Sequence, residues 1–362
     1  MGKNLLHNLW RKSRIRSIIG RYFMVTLISK DKKQFKGNLH CHSTLSDGNL
    51  TPEELKEAYK ARGYQVLAIT DHEYPKHHQD LAEEDFVMLT GWEAYIRPGA
   101  DGKYNAYNQE VHMNLFARDP ENVGYVCYDP KYCRYMKPEI KELIQPVGPV
   151  GERNYSVEYI NHFVATAKDN GYIVSYNHPY WSMDEEIRIM QYEGFFNLEL
   201  YNYSSYKGNH LEINEPLYDR MLANGIRMGC HGSDDNHNPI PFHHPANDSF
   251  GSYAMILADE LSYDSVFHAL ENQECYASCG PRIYELTVTE GRYVHIECSP
   301  ASSIFVHWGS KAPAAIYAEE GQLLTSVDVK LPKQATFFRV NVYDEKDRPA
   351  STRGYFRDEW TK

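Results

Sequence analysis

Apolar and polar positions alternate along this chain in two different registers. Thr51-Pro52-Glu53-Glu54 combines a Thr N-cap, Pro at the first helical position and an acid at the capping-box position, which predicts a helix over 52–62 with Leu55, Ala58 and Tyr59 inward and Gly63 as the stop. The run Val66-Leu67-Ala68-Ile69-Thr70 follows without a polar break, the pattern of a strand covered on both faces. With Asn38-Leu39-His40-Cys41-His42 before it, this forms a β-α-β unit with a right-handed crossover. Further strands are expected at 86–89, 111–116, 172–176, 195–200, 226–229 and 253–257, with helices at 157–168, 184–191, 215–223 and 262–271. Residues 118–155, rich in Pro, Gly and Tyr, read as an irregular insertion. Roughly seven strands alternating with helices favour a β/α barrel. After Gly280-Pro281 the period changes to 2, as in Val294-His295-Ile296-Glu297-Cys298, which predicts a small antiparallel β domain.

Charge divides the chain unevenly. The total is −11, but residues 1–36 carry ten Lys or Arg against Asp31, leaving −20 on the remainder. That acidic body argues against a stable nucleic-acid complex, which needs a basic face to displace counterions. The basic leader admits three readings: a helix on an anionic surface, a segment packed on the barrel, or an upstream extension with Met24 as the start; the last two are favoured jointly. Charges at Arg11, Lys12, Arg14, Arg16 and Arg21 interrupt any secretory signal, and no apolar run is long enough to span a bilayer. Seven Cys without a CxxC pair read as reduced thiols of a cytoplasmic protein.

Histidine placement is more informative. Of 17 His, 14 fall within residues 37–281. His40 and His42 lie two apart on one strand face, a spacing that offers a metal two imidazoles from one rigid element, while Cys41 faces the opposite side as packing. Asp47 and Asp71-His72 follow the first two strands, Glu93 the third, and His112, His178 and the Asp234-Asp235-Asn236-His237 run accompany later ones. In β/α folds ligands bind beyond the carboxyl ends of strands, so these groups are expected on one rim.

Asn38-Leu39-His40-Cys41-His42-Ser43 with Ser46-Asp47-Gly48, then Ile69-Thr70-Asp71-His72, Glu93, His112, His178-Pro179 and Gly232-Ser233-Asp234-Asp235-Asn236-His237, resembles the PHP (polymerase and histidinol phosphatase) superfamily of metal-dependent phosphoesterases, two-domain bacterial type. The resemblance implies a distorted seven-stranded β/α barrel over 37–281, followed by a β-sandwich-like domain over 282–362. It also implies two or three divalent ions, Mn, Fe or Zn. One ion would use His40, His42, Glu93 and Asp235; Glu93 would bridge to a second at His112 and His178; Asp47, His72 and His237 would hold a third. The family reads Gly-Ser-Asp-x-His where this chain has one residue more, so Asp234 and Asp235 both qualify; the Asp-x-His interval favours Asp235. Asp71 is expected to orient His72 or a neighbour. His40, His42, Glu93, Asp235 and His237 are the residues expected to carry catalysis.

Adjacent divalent ions generate hydroxide near neutral pH and neutralise phosphoryl oxygens, so the expected activity is hydrolysis of a phosphomonoester or short phosphodiester, a nucleotide or sugar phosphate. Hydrolysis of another bond on the same fold, and a non-catalytic metal-stabilised binding protein, are the alternatives. Tyr74, Tyr95, Tyr180, Tyr201, Tyr203 and Tyr206 lie near the expected rim, either stacking on a base or sugar or simply filling loops and strand faces. Arg97 and His77-His78 are candidate phosphate-holding groups.

Overall fold

The structure, a computed structural model, describes residues 24–99 and 104–361. The readings offered for residues 1–23 lie outside the described residues. The capping box forms as the sequence predicts: Glu54 N–H donates to the Thr51 hydroxyl at 3.2 Å and Thr51 N–H to the Glu54 carboxylate at 2.9 Å. The helix runs Pro52–Lys60 and buries Leu55, Lys56 and Tyr59; Gly63, at φ +74°, turns the chain back toward the sheet.

The strands of the first part are β1 (Met24–Ile28), β2 (Lys33–Asn38), β3 (Val66–Leu67), β4 (Val87–Met88), β5 (Gly91–Ile96), β6 (Val111–Ala117), β7 (Tyr125–Val126), β8 (Pro146–Val147), β9 (Tyr172–Asn177), β10 (Asn197–Asn202), β11 (Gly229–Ser233), β12 (Tyr253–Ala258) and β13 (Cys275–Ser278). The remainder supplies β14 (Ile283–Thr289), β15 (Tyr293–Ala301), β16 (Ser303–His307), β17 (Ala314–Tyr317), β18 (Leu324–Lys330), β19 (Phe337–Tyr343), β20 (Pro349–Thr352) and β21 (Tyr355–Phe356).

One sheet runs β11-β10-β9-β6-β5, and a longer one runs β17-β16-β19-β20-β13-β12-β2-β3-β4. They are stitched together at two edges. Beyond β2 and β11, Asp235 N–H donates to the His40 carbonyl at 2.9 Å and His42 N–H to the Asn236 carbonyl at 3.0 Å. Beyond β3, Glu73 N–H donates to the Glu93 carbonyl at 2.7 Å. The arrangement is therefore a mixed α/β fold of two sheets joined at both of these edges. Strands β5 and β6 pair antiparallel, and no helix lies between them among the described residues.

Two segments sit differently from the sequence reading. Residues 24–36, grouped there with the basic extension, are β1 and β2. Ile28 faces inward in β1, which pairs antiparallel with β14, and Phe35 and Gly37 are buried in β2 between β12 and β3. The region after 281 is sheet-rich as expected, but it continues the larger sheet, since β20 pairs with both β13 and β19. One buried cluster accordingly joins Leu55, Tyr59 and Leu67 to Val288, Ile296, Phe338 and Trp360. Period-2 alternation identifies a strand but not the sheet that receives it.

Cutting the chain after Pro281 would strip β14 from β1 and β20 from β13 and expose this shared apolar face. A 24–281 fragment is expected to aggregate or to unfold without a cooperative transition, as read by circular dichroism and size-exclusion chromatography; a sharp transition would show instead that the first part folds alone.

Candidate metal centre

Strand alternation turns His40 and His42 to one side and buries Cys41 in the core cluster with Leu55 and Tyr59 on the other. Glu93 of β5 and His112 of β6 project to the same side, and His178 and Asp235 reach it through left-handed backbone at φ +23° and +54°. All nine sequence-predicted side chains come together. Glu93 is their hub: its carboxylate lies 2.8 Å from His72 Nδ1, 3.0 Å from His112 Nδ1, 3.2 Å from His40 Nε2, 3.3 Å from His178 Nε2 and 3.5 Å from His42 Nε2. Asp235 Oδ1 sits 3.0 Å from His42 Nε2 and 3.1 Å from His40 Nε2. Asp47 lies within 3.5–3.7 Å of His237, His72 and His42.

The two aspartates left open by the sequence separate clearly. Asp235 faces the imidazoles, whereas Asp234 accepts bonds from the Tyr59 hydroxyl and from the N–H groups of Phe250, Gly251 and Ser252. Burial pushes the Asp234 carboxyl up to about 6, although every one of these bonds favours its ionised form.

Burial also opposes charge on Glu93, but His40, His112 and His72 outweigh it and hold the carboxyl well below its usual range. Burial alone would lower His40; Asp235, Glu93 and Glu199 together raise it well above the ordinary imidazole value. His72, His112 and His178 are raised in the same way, against their burial. His237 is lowered, by burial and by the neighbouring His42 imidazole. Asp47 falls to about 2, the His72, His42 and His237 rings overcoming the cost of burying it.

The donor set fits divalent metal. His42, Asp47, His72 and His237; His40, His42 and Asp235; His40, Glu93 and His178; and His72, Glu93 and His112 each place their ligand atoms within 4.8 Å of one another. His40 Nε2, His72 Nδ1, Glu93 Oε2 and Asp47 Oδ1 are buried and converge without a well-formed hydrogen bond. A mixed imidazole and carboxylate set suits Zn, Fe or Mn. The groups differ from those carried over by resemblance: His40, His42 and His72 each belong to two groups, and Glu93 groups with His178 and with His112 separately.

Several supporting residues escaped the sequence reading. Glu199 is fully buried and lies 2.9 Å from His40 Nδ1; it also accepts from His178 N–H and the Asn202 amide, at 3.0 and 2.9 Å. The Asn177 amide donates to Glu93 at 3.1 Å and the Asn202 amide to Asp235 at 3.0 Å. Asn197-Leu198-Glu199-Leu200 carries the available signal, a buried acid at alternate position to a polar residue within an otherwise apolar strand. Asp71 accepts from Ser43 N–H at 2.8 Å and from the hydroxyls of Ser43 and Ser46, so it shapes the loop beside His42 rather than touching His72.

A cavity of about 500 Å³ opens over the cluster, lined by Asp47, His72, Glu93, His112, His178, Asp235 and His237 together with Arg97, Tyr104, Arg134 and Trp181. None of the six Tyr singled out from sequence lines it; Tyr95 lies buried beneath Arg97, and Tyr201 bonds to Glu215. His78 is buried and lowered to about 4 by that burial, and His77 lies 3.4 Å from Glu121, both off the cavity wall.

Residues 38–193 match the PHP domain family model. Over 39 residues it is 56% identical to the DNA polymerase/3'-5' exonuclease PolX of Bacillus subtilis, covering 11% of this chain and 7% of that protein. Over 38 residues it is 55% identical to a 5'-3' exoribonuclease of Haemophilus influenzae, covering 10% of this chain and 14% of that protein. The chain thus spans a small part of these relatives. Among solved structures, a two-domain protein containing a predicted PHP-like metal-dependent phosphoesterase from Bacteroides vulgatus is similar at TM-score 0.44 and 14% identity, over 90% of this chain and 96% of that one. An amidohydrolase from Chromobacterium violaceum with bound sulfate is similar at TM-score 0.39 and 16% identity, over 66% and 96%.

Two predictions follow from the electrostatics. The raised imidazoles stabilise the metal-free fold below the ordinary His pKa, and that contribution is lost as pH rises through their raised values. Protons and metal compete for the same nitrogens, so MnCl2 is expected to raise the melting temperature more at pH 8 than at pH 6 in differential scanning fluorimetry. Glu199→Ala removes the carboxylate that orients His40, and should weaken Mn binding by about 10–100-fold in isothermal calorimetry.

Proposed function

We propose that the chain is a metal-dependent phosphoesterase, a phosphoric ester hydrolase acting on a phosphomonoester or a short phosphodiester such as a nucleotide or sugar phosphate. The observation that carries this reading is the convergence of six imidazoles and three carboxylates from separate strand ends under one cavity, within a chain whose residues 38–193 match the PHP domain family model. His40, His42, Glu93 and Asp235 would hold one ion, Glu93, His112 and His178 a second, and Asp47, His72 and His237, with His42 beside them, a third. Mn, Fe or Zn bound there would make hydroxide available near neutral pH and neutralise charge on the phosphoryl oxygens.

The protein's own groups do the positioning. Glu199, at His40 Nδ1, leaves Nε2 directed into the cluster, and Asn177 and Asn202 hold the carboxylates of Glu93 and Asp235 in orientation. Asp235 and Glu93 lie under the cavity floor, whereas Asp47 and His237 keep about 30% of their side-chain surface open, at 31% and 28%. A cytoplasmic location belongs to the same reading; it is supported by seven unpaired cysteines, and among the described residues no helix is long and apolar enough to cross a membrane.

Mn-loaded protein is expected to hydrolyse members of a panel of mononucleotides, sugar phosphates and short oligonucleotides. The His40→Ala/His42→Ala double variant should lose that activity together with bound metal measured by mass spectrometry. Turnover of amides or lactones in place of every phosphate ester would move the activity to another bond, and unaltered hydrolysis in the double variant would remove the cluster from the chemistry.

A further inference from the structure

Residues 118–155, which the metal cluster does not use, are tied to it through one buried ion pair. Glu73 directly follows His72, and its carboxylate accepts from both terminal nitrogens of Arg153, from the Tyr125 hydroxyl and from Tyr95 N–H at 2.8 Å. Neither the Glu73 nor the Arg153 side chain is exposed. Arg153 also donates to the carbonyls of Tyr95 at 2.8 Å and Cys127 at 3.2 Å, so all its groups are engaged and its orientation is fixed. The braced segment buries Tyr132, Cys133 and Met136, and between the last two Arg134 emerges on the cavity wall with Tyr135 half-buried beside it. Tyr135 lays its ring against His72 at 6.2 Å and 14°, and its hydroxyl donates to Asp47 at 2.8 Å. Arg134 Nη2 donates to that hydroxyl at 2.9 Å, which puts a guanidinium two hydrogen bonds from a cluster carboxylate.

Arg97 and Arg134 are the two guanidinium groups on the cavity wall among the described residues. Arg97 is bonded through Nε to Glu110 and lies 4.1 Å over the Tyr95 ring. Arg134 has a neutral hydroxyl as its partner and no carboxylate within ion-pair distance among the described residues. It can turn from Tyr135 to an incoming anion without leaving a buried charge behind.

We propose that Arg134 binds the terminal oxygens of a dianionic phosphomonoester, and that the 125–153 segment, anchored by Glu73 and Arg153, is the element that positions it. The proposal rests on the phosphoesterase reading and narrows it. The guanidinium fork matches two terminal oxygens of one phosphoryl group. Both esters offer the fork two terminal oxygens, but the monoester dianion carries a second negative charge and keeps a third oxygen for the metal centre, so the cation favours the monoester.

The test compares Mn-loaded full-length wild type, Arg134→Gln and Arg134→Lys with p-nitrophenyl phosphate, bis(p-nitrophenyl) phosphate and inorganic phosphate. Arg134→Gln should raise KM for the monoester by about 10–100-fold and weaken phosphate inhibition in parallel, with kcat and the diester KM changed by no more than about threefold. Bound Mn should be unchanged, and Arg134→Lys should restore part of the loss. Equal KM and phosphate inhibition in wild type and Arg134→Gln would overturn the proposal, as would an equal loss for both esters. If wild type hydrolyses neither of these esters nor any member of the phosphate-ester panel, the phosphoesterase reading falls, and the thermal shift produced by inorganic phosphate on Mn-loaded protein still decides the anion site. A shift present in wild type and lost in Arg134→Gln upholds it; a shift absent from wild type or kept in the variant removes it.

Discussion

Glu93 is a fully buried carboxylate with five imidazoles within 3.5 Å, and the surrounding structure is arranged around that charge. An unpaired carboxylate at this depth would cost several kcal/mol or take up a proton. Each imidazole that stabilises it is itself buried and needs a carboxylate in turn, which Asp235, Glu199 and Glu110 supply at His40 and His112. The cluster is thus a closed set of mutual compensations in which protons and divalent ions serve as alternative sources of positive charge. Removing one member strands the others, so the centre is expected to be lost as a unit rather than by degrees.

Holding nine side chains from separate segments within a few ångströms demands a frame that does not shift. The two edges where the sheets join supply it, because the bonds that close them run through the site residues themselves: Asp235 to His40, His42 to Asn236, and Glu73 to Glu93. Left-handed backbone at Glu73, His178 and Asp235, at φ +52°, +23° and +54°, bends the chain where each strand would otherwise carry its side chain away from the cavity. That conformation is costly for residues with a Cβ and persists where the surroundings over-determine it. Here the neighbouring ion pairs and amide bonds do so.

Much of this was legible in the sequence because strand-end residues need only local pattern to place them. The capping box at Thr51, the apolar run at 66–70 and the period-2 spacing of His40 and His42 each fix an orientation within a few residues. Asp235 over Asp234 followed from spacing to His237, and the loop bonds of Asp234 give the physical reason. What stayed hidden depends on partners distant in sequence. Glu199 looks like any isolated acid until β10 is seen beside His40, and Arg134 lies in a stretch with no periodicity at all. Residues 24–36 were obscured by their charge: Lys30 and Lys32 in the turn and Lys33 and Lys36 in β2 mask two short strands in which Ile28 and Phe35 are the buried side chains. The independence of the C-terminal strands was inferred from a change of texture, and texture does not report which edge a strand joins.

That edge matters for the chemistry. Tyr201, in the same strand as Glu199 and Asn202, bonds through its hydroxyl to Glu215, and Glu215 accepts from the Asn341 amide of β19 at 2.7 Å. One helical turn on, Asp219 takes the buried Arg339 guanidinium in two bonds of 2.6 and 2.8 Å, while Arg339 donates to the Ser351 hydroxyl of β20 at 3.0 Å. The strand that orients His40 is therefore braced from behind by charged and amide contacts to the C-terminal sheet, and these have a fixed geometry that apolar packing alone would not impose. A carboxylate that directs an imidazole nitrogen does so only as accurately as its own backbone is held. The C-terminal strands thus act on the centre through β10, as part of the support that keeps Glu199 and Asn202 in register with His40 and Asp235.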